Sequence, residues 1–92
     1  MSNKNVVVYI SANCAHCDKL INDLDLFGIN YETKNVTEYP EYMKELQARG
    51  VYGTPATLIE EKDEIISGLQ TSKIKHMLGL TNIYRSYHQS LS

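Results

Sequence analysis

The most constraining feature of this sequence is the run Val6-Val-Val-Tyr-Ile10, in which all five residues are β-branched or aromatic. A run of this length is long enough for a β-strand and too short for a helix. Because no position is polar, we expect a strand buried on both faces, as the central strands of helix-covered sheets are. Ser11-Ala-Asn13 breaks the run, and the two cysteines, Cys14 and Cys17, follow at once. The sequence therefore predicts a layered α/β fold with the cysteines at the end of a central strand.

Hydrophobic periodicity and turn residues place the remaining elements. An amphipathic helix should run from near Cys14 to Gly28, with Phe27 on its apolar face. It is followed by a strand over Tyr31–Val36 and a helix over Pro40–Arg49. The last elements are a strand over Ala56–Ile59, a polar hairpin turn at 61–63, a strand over Glu64–Ser67 and a helix capped by Thr71 or Ser72.

The resulting order, β-α-β-α-β-β-α, predicts a mixed four-stranded sheet with helices on both faces. The first two strands, joined through a helix, should be parallel with a right-handed crossover, and the last two should form an antiparallel hairpin. We expect one domain over residues 1–80. Residues 81–92 form a C-terminal extension, either a short helix or a frayed tail.

Length and charge exclude several classes of protein. A chain of 92 residues has room for one domain. The net charge is −2, whereas proteins that bind nucleic acids or anionic membranes usually carry an excess of basic residues. The longest apolar run is far shorter than the roughly 20 residues of a membrane-spanning helix, and the polar start does not resemble a secretory signal. We therefore expect a cytoplasmic monomer with no nucleic-acid or membrane partner.

The spacing Cys14-Ala15-His16-Cys17 is typical of a redox dithiol at the start of a helix. At a helix N-terminus, free N–H groups and the helix dipole lower the pKa of a thiol, so we expect Cys14 to be the nucleophile. Cys17 should lie one turn deeper on the same face and react second. A charged His16 would stabilise the thiolate and make the disulfide a better oxidant; otherwise His16 is an exposed residue without a partner.

Two other interpretations of the cysteines are weaker. A structural zinc site takes four Cys or His ligands, and beyond the pair the chain has only His16, His76 and His88. Buried, inert cysteines are common in protein cores, but a CxxC between a strand and a helix is a more specific context. We therefore predict no metal site.

Thr54-Pro55 is the second feature of chemical interest, because it enters the strand expected to neighbour the first one. A proline in this position often marks only a loop. A cis peptide here would bring the loop beside the cysteines and leave the backbone of Thr54 free to pair with an extended substrate.

The chain resembles the glutaredoxins of the thioredoxin superfamily over about residues 5–80. The segments that carry the resemblance are Tyr9-Ile-Ser-Ala-Asn-Cys14-Ala-His-Cys17, Asn35-Val36, Gly53-Thr-Pro55 and Ser67-Gly68-Leu69. It is most similar to the glutaredoxin-like redoxins that donate electrons to ribonucleotide reductase, which share the run from Pro40-Glu41 through Gly50.

The resemblance implies a thioredoxin-like fold and a thiol–disulfide oxidoreductase that reduces protein or small-molecule disulfides. It implies a nucleophilic Cys14, a resolving Cys17 and a cis Pro55, with substrate contacts from Ala15, Gly53, Thr54 and Gly68. The implied partners are a disulfide-containing protein, with ribonucleotide reductase as one candidate, and a reductant. The reductant would be glutathione or a thioredoxin-reductase-like enzyme, and no cofactor would be tightly bound.

The sequence also departs from the glutaredoxin pattern. Ser11 stands where a lysine commonly meets a glutathione carboxylate, and Ser67-Gly68-Leu69-Gln70-Thr71 replaces a Gly-Gly-Asp segment that meets the glutathione amine. Two alternatives stay open: a glutathione-dependent [2Fe–2S] carrier, which the loss of proline at Ala15 would permit, and a binding module without turnover.

Overall fold

The computed structural model describes residues 6–79 and follows the predicted order of elements. The elements are β1 (Val6–Ile10), α1 (Ala15–Leu26), β2 (Glu32–Asn35), α2 (Pro40–Ala48), β3 (Ala56–Ile59), a 3-10 turn (Glu60–Lys62), β4 (Glu64–Ser67) and α3 (Thr71–Met77).

The sheet has the strand order β2-β1-β3-β4, so the apolar strand β1 is central as predicted. β2 runs parallel to β1, with Ile10 opposite Asn35. β3 is antiparallel to β1, with Tyr9 opposite Ala56, and β4 is antiparallel to β3. This confirms the mixed four-stranded sheet. Because β1 and β3 run in opposite directions, the beginning of β3 lies beside the end of β1, where the cysteines follow.

Each face of the sheet carries its own hydrophobic core, because side chains alternate between the faces of a strand. Val6 and Val8 pack with α1 and α3, whereas Val7 and Tyr9 pack with α2. The four side chains are at most 3% exposed. This explains why every position of the run is apolar, and it confirms helices on both faces of the sheet.

Helix α1 forms because Leu20 and Leu24 recur at helical spacing, and both are fully buried. It ends as glycine-terminated helices do: Gly28 has a φ of +67°, and the Ile29 N–H donates to the Leu24 carbonyl at 3.0 Å. The prediction for Phe27 is wrong. It is the C-cap, its side chain is 48% exposed, and the Lys75 ammonium lies 3.7 Å from its ring centroid.

Three predicted boundaries change. The second strand is shorter than predicted and spans Glu32–Asn35, although the Val36 N–H still donates to the Ile10 carbonyl. Helix α2 ends at Ala48, and Arg49 is its C-cap. The hairpin turn is a 3-10 turn over Glu60–Lys62, closed by Asp63 in the left-handed conformation.

The predicted cap of the last helix is also wrong. The N-cap of α3 is Gln70, and its side chain makes no capping hydrogen bond. Thr71 does not cap the helix because its hydroxyl donates to a carboxylate oxygen of Asp23 in α1 at 2.7 Å. A contact between helices replaces the local cap expected from sequence.

The predicted extension over 81–92, and with it the domain limit at residue 80, lies outside the described residues. Within 6–79, no helix is long and apolar enough to cross a membrane.

Candidate active site

The site begins where β1 ends, because four residues turn the chain from the central strand into α1. Asn13 adopts a left-handed conformation with a φ of +54°, which asparagine tolerates better than most residues. Cys14 is extended and is the N-cap of α1. The Ala12 N–H donates to the Thr37 hydroxyl at 3.0 Å, which ties this turn to the loop after β2.

The two cysteines form a disulfide, with their Cα atoms 5.2 Å apart. The Cys17 N–H donates to Cys14 Sγ at 3.1 Å, so this sulfur takes the place that a serine or aspartate oxygen has in ordinary N-caps. Cys14 is half-buried, whereas Cys17 is only 2% exposed. The positive end of the helix dipole favours a negative charge on Cys14. The predicted difference in depth between the two cysteines is confirmed.

The Thr54–Pro55 peptide is cis, as the sequence analysis predicted. Pro55 is buried, and the hydroxyl of Thr54 donates to Cys14 Sγ at 4.0 Å. The Gly68 N–H donates to the Pro55 carbonyl at 2.8 Å, which places the end of β4 beside the proline. The antiparallel pairing of β1, β3 and β4 thus brings three separate predicted segments to one place.

Three other predicted residues contribute less to this geometry. Ala15 and His16 are exposed in the first turn of α1. No hydrogen bond or ion pair joins the His16 ring to another residue between 6 and 79, so the charge effect proposed for His16 stays a prediction. Gly53 is exposed, and a Cβ added there would meet nothing within 4 Å, so the structure gives no steric reason for glycine.

Ser11 takes part in the site in a way that sequence reasoning missed. Its hydroxyl lies 2.7 Å from Thr54 Oγ1, although the two residues are 43 positions apart. From sequence, Ser11 is recognisable only as the residue that replaces a lysine of the glutaredoxin pattern. No local pattern signals this contact, since it depends on the register between β1 and β3.

The loop after β2 was also missed, although it has a recognisable signal. The side-chain oxygen of Asn35 accepts hydrogen bonds from the N–H groups of Thr37 and Glu38, at 2.9 and 3.0 Å. This is the turn that asparagine commonly forms with residues following it. It presents Thr37 to the Ala12 N–H and so helps to hold the turn that precedes Cys14.

Shifted pKa values are found at Tyr9, Glu45 and Asp23, away from the sulfur contacts. Burial and a hydrogen bond to Glu45 raise the pKa of Tyr9, while Lys34 and then Tyr9 lower the pKa of Glu45. On the other face, hydrogen bonds from Lys19 and Thr71 lower the pKa of Asp23. These groups stabilise packing between elements, and none contacts Cys14 directly.

A mixed four-stranded sheet with a dithiol at the N-terminus of α1 and a cis proline beside it defines a protein of the thioredoxin-like class. Residues 6–64 match the family model of the glutaredoxins. The chain belongs to the glutaredoxin family.

Solved structures support the fold. The thioredoxin-like protein BC3987 is 24% identical, with 77% of this chain and 96% of that chain covered and a TM-score of 0.71. The glutaredoxin-like NrdH-redoxin from Escherichia coli is 24% identical, with 78% and 92% covered and a TM-score of 0.71. The glutaredoxin from Methanosarcina mazei Go1 is 23% identical, with 86% and 84% covered and a TM-score of 0.70. No curated protein matches the chain significantly.

Proposed function

We propose that this protein is a dithiol oxidoreductase that reduces disulfides, in particular those of proteins. The observation that carries the proposal is the position of Cys14: its half-buried sulfur lies at the N-terminus of α1, bonded to the deeper Cys17 and beside Thr54. A thiol at a helix N-terminus is favoured as thiolate, which is the reactive form.

In the first step, the Cys14 thiolate attacks one sulfur of the substrate disulfide. A bond forms between Cys14 Sγ and that sulfur, the substrate S–S bond breaks, and the departing substrate thiolate takes a proton from water. Cys14 rather than Cys17 is assigned this step because Cys17 is 2% exposed.

In the second step, Cys17 loses its proton and attacks Cys14 Sγ. The Cys14–Cys17 disulfide forms, the mixed disulfide breaks, and the second substrate thiolate leaves and is protonated. The balance is two electrons and two protons moved from the dithiol to the substrate. Cys17 is positioned for this attack because both sulfurs lie on the first turn of one rigid helix.

The loop before β3 supports binding of an extended substrate segment. Within residues 6–79, the backbone N–H and C=O of Thr54 make no hydrogen bond to another main-chain group. A peptide that runs alongside Thr54 would pair with this free backbone, as extended peptides do at sheet edges. Ala15 and Gly53, both exposed, would border that peptide.

Internal contacts favour a flavoenzyme of the thioredoxin-reductase type over glutathione as reductant. The Ser11 hydroxyl pairs with Thr54, the Gln70 amide donates to the Ser67 carbonyl at 2.6 Å, and the Thr71 hydroxyl donates to Asp23. Ser11 stands where the glutaredoxin pattern has a lysine for glutathione, and Gln70 and Thr71 belong to the segment that replaces its Gly-Gly-Asp. The polar groups of all three side chains have partners within the protein. A coupled assay of NADPH consumption, with glutathione and its reductase or with thioredoxin reductase, would separate the two reductants.

Ribonucleotide reductase is a candidate substrate, because the run from Pro40-Glu41 through Gly50 resembles that of the redoxins that serve this enzyme. We propose a cytoplasmic monomer that needs no tightly bound cofactor. Reduction of insulin would distinguish it from a binding module without turnover. A brown, anaerobically purified protein with visible absorbance would instead indicate an iron–sulfur carrier.

The assignment of the two cysteines is tested by trapping. We expect Cys17→Ser to accumulate a mixed disulfide with a protein substrate, because the second step is blocked after the first has occurred. Cys14→Ser should accumulate none, since it lacks the nucleophile. Non-reducing gels of the two variants after equal exposure to oxidised substrate provide the measurement. Equal trapping by both variants would overturn the order of attack.

A further inference from the structure

Two polar atoms from the turn after β1 contact the same hydroxyl from the loop before β3. Ser11 Oγ, after β1, lies 2.7 Å from Thr54 Oγ1, which precedes β3. Thr54 Oγ1 in turn lies 4.0 Å from Cys14 Sγ, at the start of α1. Ser11 and Thr54 are each half-buried, so competition from water for these hydroxyls is reduced.

The direction of the hydrogen bonds follows from counting hydrogens. A threonine hydroxyl has one hydrogen to donate and two lone pairs that accept. If Thr54 donates to Cys14 Sγ, its hydrogen is used, and the contact with Ser11 must then be one that Ser11 donates. The chain of donors therefore runs from Ser11 to Thr54 to Cys14.

We propose that Ser11 is a positioning residue, because its hydroxyl donates to Thr54 Oγ1 and so directs the Thr54 hydrogen at the Cys14 sulfur. The resulting hydrogen bond from Thr54 stabilises the Cys14 thiolate of the reduced protein. This inference rests on the proposed function, in which Cys14 is the nucleophile. It gives Ser11, the position of a lysine in the glutaredoxin pattern, a role in the reactivity of the thiol.

The contact is expected to strengthen on reduction. A disulfide sulfur is a weak acceptor, whereas a thiolate has a full negative charge, and hydrogen bonds to charged groups are shorter and stronger than neutral ones. The Cys17 N–H already donates to the same sulfur at 3.1 Å. Linked donors also polarise one another, so the Ser11 hydroxyl would make Thr54 a better donor.

The variants of the test leave the titratable side chains near Ser11 and Thr54 unchanged. Titratable side chains on the neighbouring segments include His16, Asp18 and Lys19 on α1, Glu38 on the loop after β2, and Tyr52 before Thr54. All five are exposed, and every variant retains them.

The experiment measures alkylation of Cys14 by iodoacetamide as a function of pH, in Cys17→Ser protein without substrate. We expect Thr54→Val to raise the pH of half-maximal alkylation and to slow alkylation about two- to fivefold below that pH, as the loss of one hydrogen bond to a charged group implies for a long contact. Ser11→Ala should slow it by about twofold. Ser11→Thr, which keeps the hydroxyl, should restore the rate of the parent protein.

Two features of the data separate positioning from a structural role. At high pH, where the thiol is ionised in every variant, the variants should alkylate at least as fast as the parent, because a thiolate from a thiol of higher pKa is slightly more nucleophilic. Ser11→Ala should have no further effect in a Thr54→Val protein, because its influence passes through Thr54. If Thr54→Val fails to fold, Thr54→Ala takes its place in the same comparison.

The proposal is overturned if Ser11→Ala alkylates like the parent at every pH, if the two substitutions act additively, or if the variants stay slower than the parent at high pH. Failure of the proposed function would look different. In that case the alkylation pattern would hold while protein with Cys17 intact reduced no insulin. The two outcomes are independent because alkylation requires neither Cys17 nor a disulfide substrate.

Discussion

At the scale of single residues, the surroundings of Cys14 Sγ decide what the dithiol can do. Cys17 N–H and the Thr54 hydroxyl both donate to this sulfur, and α1 begins directly after it. Each of these contacts stabilises negative charge, and a stabilised thiolate makes the corresponding disulfide easier to reduce. His16, exposed in the same turn, is the nearest residue in sequence that could add a positive charge.

His16 provides a prediction on the reduction potential. We expect the potential of the parent protein to lie above the roughly −270 mV of thioredoxin, nearer the −180 to −230 mV of glutaredoxins and disulfide isomerases. His16→Pro should lower it, because the imidazole beside the thiol is lost while proline remains acceptable in the first helical turn. His16→Gln is the matched control for the charge alone. Redox titration against glutathione buffers measures the reduction potentials of the parent and of both variants. An unchanged potential in both variants would contradict the electrostatic role of His16.

At the scale of elements, Asp23 joins the two helices on one face of the sheet. Its carboxylate accepts from Lys19 Nζ at 2.9 Å within α1 and from the Thr71 hydroxyl at 2.7 Å at the start of α3. The two hydrogen bonds, the one from Lys19 first, lower the pKa of Asp23 below its ordinary value of 3.8. Charge on Asp23 therefore favours the folded state, in which α1 and α3 are in contact.

This linkage predicts a dependence of stability on pH. Since the folded pKa of Asp23 is lowered, its contribution to stability is fully present above the unfolded pKa and is lost as pH falls through the folded pKa. We expect Asp23→Asn to lower the Tm at neutral pH, with the difference from the parent disappearing in acid. Asp18→Asn, an exposed carboxylate in the same helix, is the control and should change little. A difference in Tm that persists unchanged in acid would contradict the linkage.

At the scale of the whole molecule, two hydrophobic cores share one four-stranded sheet. Leu24 is fully buried on the face of α1 and α3, and Leu46 is fully buried on the face of α2. Both cores pack against the same central strand β1, whose side chains alternate between them. The loss of either core therefore removes support from the strand that both require.

Substitutions on the two faces should consequently affect one cooperative transition. We expect Leu24→Ala and Leu46→Ala each to cost about 2–5 kcal/mol, because each leaves a cavity in a packed core. Leu26→Ala should change stability by less than about 0.5 kcal/mol, since Leu26 belongs to the same helix as Leu24 but is 73% exposed. Unfolding followed by circular dichroism and by tyrosine fluorescence should coincide. Separate transitions for the two faces would contradict this view.

The order of elements follows from the sequence because periodicity is local. The apolar run Val6–Ile10 predicts a central strand, and the spacing of Leu20 and Leu24 predicts an amphipathic helix. The position of Cys14 between them places a thiol at a helix N-terminus. Each of these inferences depends on residues within one or two turns of one another, and the structure confirms all three.

Only the tertiary structure decided which side chains meet across the site. Ser11 and Thr54 come together through the register of β1 and β3, and Thr71 leaves its expected capping position for Asp23 in another helix. Phe27, expected on the apolar face of α1, is instead its exposed C-cap. A hydroxyl fits many partners equally well, so its contact depends on which strands and helices become neighbours rather than on the residues beside it in the chain.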